Sequence, residues 1–276
     1  MAVEMLAYIE RRSPVHALSG ATKLIVFLLF STAAMLTYDT RILVGMLLLS
    51  IVVFTISKIK LREIAFVLLF ILFFLLLNNL AIYLFSPQEG VRIYGTRHEL
   101  LHIFGRYNLT LEQLFYQLNV TLKYFVVIPV ALLFIVTTHP SEFAASLNKI
   151  GINYKIAYSV ALALRYIPDI QRDYRSISQT QQARGIDISR NEKMIKRIKN
   201  ISAIIIPLIL SSLERIEVIS NAMELRGFGK HKKRSWYSEK KATKKDYMVI
   251  FVALLIFSVS LLVTYQNGSR FYNPFQ

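Results

Sequence analysis

The most recognisable chemical pattern in the chain is His98-Glu99-Leu100-Leu101-His102, which matches the His-Glu-x-x-His motif of zinc metallohydrolases. On a helix, the two histidines bind zinc from the same face, and the glutamate activates a water molecule. Gly105 continues the longer form of the motif, but Asn108 occupies the position of its third histidine. The preferred prediction is therefore a solvated loop without a metal site. A membrane-anchored zinc hydrolase that uses this motif is the alternative.

Two further candidate sites consist of an arginine and a glycine at the end of a long helical stretch. They are Ala183-Arg184-Gly185 and Leu225-Arg226-Gly227. A glycine at this position adopts the left-handed backbone that ends a helix, and an arginine in the last turn faces the negative end of the helix dipole. An ordinary capped helix end explains either motif alone. Two of them on one large polar segment predict guanidinium groups that insert into pockets on partner proteins.

Several other chemistries are excluded by residues that the sequence lacks. The chain has no cysteine, which excludes disulfides, thiolate metal sites and cysteine nucleophiles. It has no Gly-x-x-x-x-Gly-Lys-[Ser/Thr] loop to hold phosphates, so any ATP must be bound by a partner.

The composition places these residues in a membrane protein. Of the 276 residues, 54% are apolar and only 18% are charged, which is unusual for a soluble domain. Five uncharged apolar runs predict five membrane helices, because about 20 apolar residues cross a bilayer. The runs are residues 24–38, 42–57, 64–88, 124–141 and 247–269. The predicted fold is an all-α polytopic membrane protein with long amphipathic cytoplasmic helices.

Basic residues determine the predicted orientation. The chain carries a net charge of +16, and residues 140–246 hold 21 Lys and Arg against 10 Asp and Glu. Because positive charge is retained on the cytoplasmic side, we expect the N-terminus and residues 140–245 to be cytoplasmic. The predicted regions are residues 1–139 with four membrane helices, residues 140–245 with the cytoplasmic helices, and residues 246–276 with the last membrane helix and a tail.

A basic run, Lys230-His231-Lys232-Lys233-Arg234, precedes Trp236 and Tyr237. Such a pattern is compatible with RNA binding. Its position just inside a predicted span favours anionic lipid headgroups, with the aromatic rings at the interface. The predicted partner of this run is the lipid bilayer and not a nucleic acid.

The two arginine motifs resemble the paired Ala-Arg-Gly-type motifs of the T component of energy-coupling factor (ECF) transporters, the EcfT/CbiQ family. The resemblance covers most of the chain except residues 87–119 and the tail. Leu225 stands where the family more often has alanine. The other matching segments are Ser13-Pro14-Val15-His16-Ala17-Leu18, Lys23-Leu24, Thr137-Thr138 with Pro140 and Glu142, Ala163-Leu164-Arg165-Tyr166-Ile167-Pro168, and Ala222-Met223-Glu224.

The resemblance implies a scaffold and coupling subunit of a bacterial importer in the cell membrane, a protein that is not an enzyme, and we expect it to need no cofactor. In that family, two cytosolic ABC-type ATPase subunits dock on the ends of two long coupling helices, and each motif arginine inserts into one ATPase. A small substrate-binding membrane subunit, the S subunit, rests on the coupling helices. The imported substrate would be a micronutrient, either a vitamin or a transition metal.

Residues 154–174 are rich in small and apolar side chains, which makes them the candidate surface for the S subunit. The candidate contact residues are Tyr154, Tyr158, Ala161 and Tyr166. Packing of this stretch against the chain's own spans is an open alternative. The sequence does not name the substrate, because in this family the S subunit determines specificity.

Overall fold

The computed structural model describes residues 8, 11–104, 107–186, 194–231, 234–237, 239–266 and 269–275. Within these ranges the chain forms ten α-helices and one antiparallel hairpin of two strands. The elements are α1 (Pro14–Ala17), α2 (Gly20–Leu36), α3 (Thr40–Ile56), α4 (Leu61–Phe85), α5 (Glu89–Tyr94), β1 (Glu99–Phe104), β2 (Tyr107–Thr110), α6 (Leu111–Thr137), α7 (Pro140–Lys149), α8 (Tyr154–Ala183), α9 (Met194–Leu225) and α10 (Lys244–Gln266). The predicted all-α class is confirmed, and the small hairpin is an element that the sequence did not predict.

The chain divides into two compact units. The first unit comprises Met1–Phe143 and Lys240–Gln276, and the second comprises Ala144–Glu239. The apolar helices α2, α3, α4, α6 and α10 belong to the first unit. Helices α8 and α9 belong to the second unit, which therefore contains both arginine-glycine ends.

Among the described helices, three are long and apolar enough to cross a bilayer, namely α4, α6 and α10. Helices α2 and α3 are apolar but have 17 residues each, at the lower end of the range for a span. Every predicted apolar run therefore coincides with a helix. Helix α6 begins at Leu111, well before its apolar run, with Thr110 as the N-cap residue that accepts a hydrogen bond from the N–H of Gln113. Its first turns bury polar side chains inside the unit. These side chains are Glu112, Gln113, Asn119 and Lys123.

The core of the first unit lies where α2, α3 and α6 meet. Its buried members are Phe30, Ala33, Ala34, Leu43, Met46 and Val126. The small alanine side chains allow neighbouring helices to approach closely. Ile256 and Phe257 of α10 pack against the same cluster, so the last helix of the chain shares its core with the first ones.

Two carboxylates anchor the N-terminus of α2. The backbone N–H of Ser19 donates to Asp246 Oδ1 at 2.8 Å, and that of Gly20 donates to Glu142 Oε1 at 2.7 Å. Acidic groups at this position satisfy free N–H groups and complement the helix dipole. Glu142 and Asp246 come from α7 and α10, so three segments far apart in sequence are held together at one point.

Candidate functional site

The two arginine-glycine ends lie on a pair of antiparallel helices. The ring of Tyr154, at the start of α8, lies 5.6 Å from the ring of Phe228, just after the end of α9. Near the other end of α8, the Gln181 side chain donates to the carbonyl oxygen of Ala203 at 3.1 Å. Residue numbers therefore rise along α8 while they fall along α9, as they do in an antiparallel pair.

Helix α8 ends in a Schellman motif. Gly185 has a φ of 81°, a left-handed conformation that glycine adopts without a Cβ penalty. The N–H of Gly185 donates to the carbonyl oxygen of Gln182 at 2.9 Å, and the N–H of Ile186 donates to that of Gln181 at 3.0 Å. The side chain of Arg184 is exposed, since the chain leaves the helix directly after it.

Helix α9 ends in the same hydrogen-bond pattern. Gly227 has a φ of 65°, its N–H donates to the carbonyl oxygen of Glu224 at 2.8 Å, and the N–H of Phe228 donates to that of Met223 at 2.9 Å. Arg226 is exposed, and Leu225 is 89% exposed. The predicted glycine stops are thus confirmed at both ends, and the docking role of the arginines stays a prediction.

The two arginines are far apart along the helix pair. Helix α8 has 30 residues, which corresponds to about 45 Å at the usual rise per residue. Arg226 lies beside the start of α8, whereas Arg184 lies at its end. A single pocket cannot contain both side chains. Each guanidinium presents five N–H donors in a planar fork, which suits a carboxylate or a carbonyl-lined pocket on another protein.

The end of α9 makes contacts that the sequence pattern did not predict. Arg234 Nη2 donates to the carbonyl oxygens of Arg226 and Gly227, each at 2.9 Å. The same guanidinium lies 5.8 Å from the ring centre of Phe228. Arg234 is therefore part of the helix end, although its neighbours in sequence suggested a lipid-facing residue.

Phe228 belongs to an aromatic cluster of the second unit. Its ring centre lies 5.6 Å from that of Tyr154 and 5.0 Å from that of Tyr158. The ring of Tyr158 in turn lies 6.2 Å from that of Trp236, whose indole N–H donates to Asn148 Oδ1 at 3.1 Å. This cluster holds the segment that follows α9 against the start of α8.

The predicted lipid-facing run is thus divided between two environments. Lys230, His231 and Tyr237 are exposed, whereas Trp236 is half buried in the aromatic cluster. Lys232 and Lys233 lie outside the described residues. Lipid contact stays a prediction for the exposed side chains.

The four candidate S-subunit contacts differ in exposure. Tyr154 is only 5% exposed, because Phe228 covers its ring, while Tyr158, Ala161 and Tyr166 are half buried. Other apolar side chains of the two helices are left exposed within the second unit. They include Ile156, Ile167 and Ile170 on α8, and Ile205, Ile206, Ile209, Leu210, Leu213 and Ile216 on α9.

The His-Glu-x-x-His segment does not form the helix that zinc chemistry requires. Glu99 begins strand β1, so His98 and His102 are about 13 Å apart along extended chain and not one helical turn apart. Asn108 pairs with His102 across the hairpin, and Glu112 Oε1 lies 2.6 Å from His98 Nδ1. Within the described residues, no group of three His, Cys, Asp or Glu side chains is placed to hold a metal ion. This geometry contradicts the zinc-hydrolase alternative.

Known proteins resemble this chain over most of its length. Residues 11–237 match the family model described as cobalt transport protein, CbiQ. The chain is 27% identical over 269 residues to the energy-coupling factor transporter transmembrane protein EcfT of Exiguobacterium sibiricum, which covers 95% of this chain and 97% of that protein. It is 26% identical to the protein of the same name from Lactococcus lactis subsp. cremoris over 273 residues, or 93% of this chain and 95% of that protein. The protein of that name from Bacillus subtilis is 26% identical over 269 residues, or 92% of this chain and 95% of that protein.

Proposed function

We propose a coupling role for this chain, which belongs to the cobalt transport protein (CbiQ) family and is the transmembrane component of an energy-coupling factor transporter. In this role it transmits the ATP-driven motion of two ATPase subunits to an S subunit. The observation that carries the proposal is the pair of exposed arginines at opposite ends of α8 and α9. Two distant guanidinium groups fit two partner molecules, whereas one partner pocket would need them side by side.

Each helix end docks one cytosolic ABC-type ATPase subunit. Arg184, flanked by Ala183 and Gly185, enters one ATPase, and the Leu225-Arg226-Gly227 motif enters the other. Truncating one partner of a buried charge pair at an interface costs ~2–5 kcal/mol, much of it from the group left unpaired. ATP hydrolysis belongs to these partners, because the sequence of this chain contains no phosphate-binding loop of the Gly-x-x-x-x-Gly-Lys-[Ser/Thr] type.

The S subunit rests on the apolar side chains that α8 and α9 leave exposed. Tyr158, Ala161 and Tyr166 are its candidate contacts at the surface, and Tyr154 supports them from within the aromatic cluster. Burial of exposed apolar side chains provides the driving force for such an association. The proposed substrate is a micronutrient, a vitamin or a transition metal, and the description of the family as cobalt transport supports the metal.

The N-terminus and residues 140–245 lie on the cytoplasmic side of a bacterial cell membrane. The excess of basic residues in this segment supports that orientation. Because the chain has no cysteine, Gln88→Cys and Ser235→Cys each introduce a single reporter thiol at an exposed position. A membrane-impermeant thiol reagent should label intact cells with the first variant only, and labelling of the second would contradict the orientation.

The coupling role is tested by replacing one arginine at a time. Full-length chain is purified through a tag from membranes of cells that co-express its ATPase subunits, and the retained ATPase is quantified together with substrate uptake. Arg184→Ala and Arg226→Ala should each weaken binding of the ATPase at that helix end roughly 30-fold, the equivalent of ~2 kcal/mol, and leave the ATPase at the other end bound. The matched control is Arg175→Ala, an exposed arginine within α8, which should behave like wild type. Wild-type retention and uptake in both tip variants would refute the proposal.

A further inference from the structure

The end of α9 is braced by Arg234 and Phe228, which we call the brace. Arg234 donates to the carbonyl oxygens of Arg226 and Gly227 at 2.9 Å, and such carbonyls have no partner within the helix itself. Among the described residues, no side chain donates to the corresponding carbonyl oxygens at the end of α8. In the part of the chain that the structure describes, the two ends share a backbone motif, and the end of α9 has this reinforcement in addition.

The two bonds of Arg234 fix the backbone around Gly227. The carbonyls of Arg226 and Gly227 belong to the two peptide planes that flank the Gly227 Cα atom. A single guanidinium that binds both planes restricts the φ and ψ rotations of that glycine, which is otherwise the most mobile residue type. The hydrogen bonds are charge-assisted and therefore stronger than those between neutral groups. Fraying of the last helical turn, which carries Arg226, is reduced as a result.

Phe228 connects this fixed turn to the other helix. It directly follows Gly227, and its ring packs on those of Tyr154 and Tyr158 at the start of α8. The Arg234 guanidinium lies 5.8 Å from the same ring, within the distance of a cation–π contact. The brace therefore joins the end of α9 to the body of the second unit.

We propose that Arg234 is a positioning residue for Arg226. It holds the last turn of α9 in its docking geometry before an ATPase binds, so less ordering accompanies binding at this end than at the end of α8. This inference rests on the proposed docking role of Arg226 and adds to it the residue that prepares the contact.

The first test measures ATPase retention in an Arg184→Ala background, where docking depends on the end of α9. Arg234→Ala should lower retention about fivefold, and Arg234→Lys should restore part of it. The matched control is Lys230→Ala, which removes an exposed cation of the same helix end. The backbone N–H of Lys230 donates to the carbonyl oxygen of Gly227 at 3.3 Å. Lys230→Ala keeps this hydrogen bond, because it changes only the side chain. An equal loss with Lys230→Ala would assign the effect to charge alone and overturn the inference.

The second test needs no ATPase and measures hydrogen exchange of backbone amides in the purified chain. Arg234→Ala should accelerate exchange at Gly227 and Phe228 about fivefold and leave Gly185 and Ile186 unchanged. Unchanged exchange at Gly227 and Phe228 would overturn the inference.

The two proposals fail in different ways. If Arg226→Ala keeps wild-type ATPase retention, the docking role itself is wrong. If Arg226→Ala lowers retention but Arg234→Ala does not, the docking role stands and only the positioning inference is overturned.

Discussion

The ends of α8 and α9 have the same backbone and different surroundings. Both close with a left-handed glycine and the same two hydrogen bonds. At the end of α9, Arg234 adds two bonds to the last carbonyls, and Phe228 packs into an aromatic cluster. At the end of α8, the Gln181 side chain donates to the carbonyl oxygen of Ala203 on α9.

This difference separates two properties of a helix end: where the helix stops, and how firmly its last residue is held. The glycine determines where a helix stops and which residue is exposed there, because its effect is confined to one turn. How firmly that residue is held depends on side chains that arrive from elsewhere in the chain. Equivalent motifs can therefore present an arginine either ready for binding or still to be ordered.

The largest effect is expected when both arginines are removed. Arg184→Ala combined with Arg226→Ala should abolish ATPase retention and substrate uptake, while the chain still inserts into the membrane, because both side chains are exposed. Co-purification and uptake assays on the same membranes provide the measurement. If either single variant already retains as little ATPase as the double variant, the two helix ends do not bind ATPases separately. That result would contradict the comparison of the two ends.

Valine at each glycine should distinguish the braced end from the other. Valine strains a left-handed backbone by ~1–3 kcal/mol, and a Cβ at either position meets nothing closer than 4.0 Å, so the two glycines have similar space for a Cβ atom and the same kind of backbone strain. In Gly185→Val, unwinding of the last turn of α8 can relieve this strain. At α9, unwinding would break the bonds of Arg234, so Gly227→Val should lower the stability of the second unit more than Gly185→Val does.

The measurement is thermal unfolding followed by the fluorescence of Trp236, the single tryptophan of the chain. This residue lies in the aromatic cluster beside Tyr158. Gly227→Ala and Gly185→Ala are milder controls, because alanine is not β-branched. Equal unfolding curves for the two valine variants would show that the brace adds no stability.

A smaller difference is expected for the apolar residue after each glycine. Phe228→Ala removes a half-buried ring from the aromatic cluster and should lower the free energy of unfolding by about 1–3 kcal/mol. Ile186→Ala should cost less, about 1 kcal/mol, because an isoleucine side chain buries less apolar area than a phenylalanine ring and has no ring contacts of its own to lose. Denaturant titration followed by Trp236 fluorescence compares the two variants. Similar unfolding midpoints for Phe228→Ala and Ile186→Ala would contradict the expected difference between the two helix ends.

The smallest effect is expected from lysine. Arg184→Lys and Arg226→Lys retain the charge but lose the planar fork, which should lower ATPase retention by a few fold, about 1 kcal/mol. We expect Arg226→Lys to be the more harmful of the two, because the braced end cannot shift to accommodate a different side chain. ATPase retention at two salt concentrations measures this, and the reverse order would argue against a fixed geometry at α9.

The parts of this molecule that the sequence predicts are those with local causes. Apolar runs predict the helices of the first unit because a bilayer demands long apolar stretches. Gly185 and Gly227 predict the helix stops because their left-handed backbone is a local property. The burial of Glu112 and Lys123 in the first turns of α6 was not predicted, since only tertiary contacts can bury such polar residues.

The contacts that could not be predicted from the sequence join residues whose separation along the chain matches no helix or strand period. Arg234 lies eight residues after Arg226, beyond the reach of helical periodicity, and its neighbours are basic residues that suggest a lipid surface. The His98 motif matches a helical pattern, but the hairpin register places His102 opposite Asn108 on a strand. A motif such as His-Glu-x-x-His can bind a metal only when the secondary structure brings its side chains to the required distance from one another.

The antiparallel arrangement of α8 and α9 has a mechanical consequence. In the proposed role, each end of the helix pair, about 45 Å apart, is attached to one ATPase, so unequal displacements of the two ends would rotate the pair. If one end of the pair moved about 10 Å relative to the other, the axis of the pair would rotate by about 13°. A linear movement between the two ATPases would therefore tilt the S subunit that rests on the middle of the helix pair.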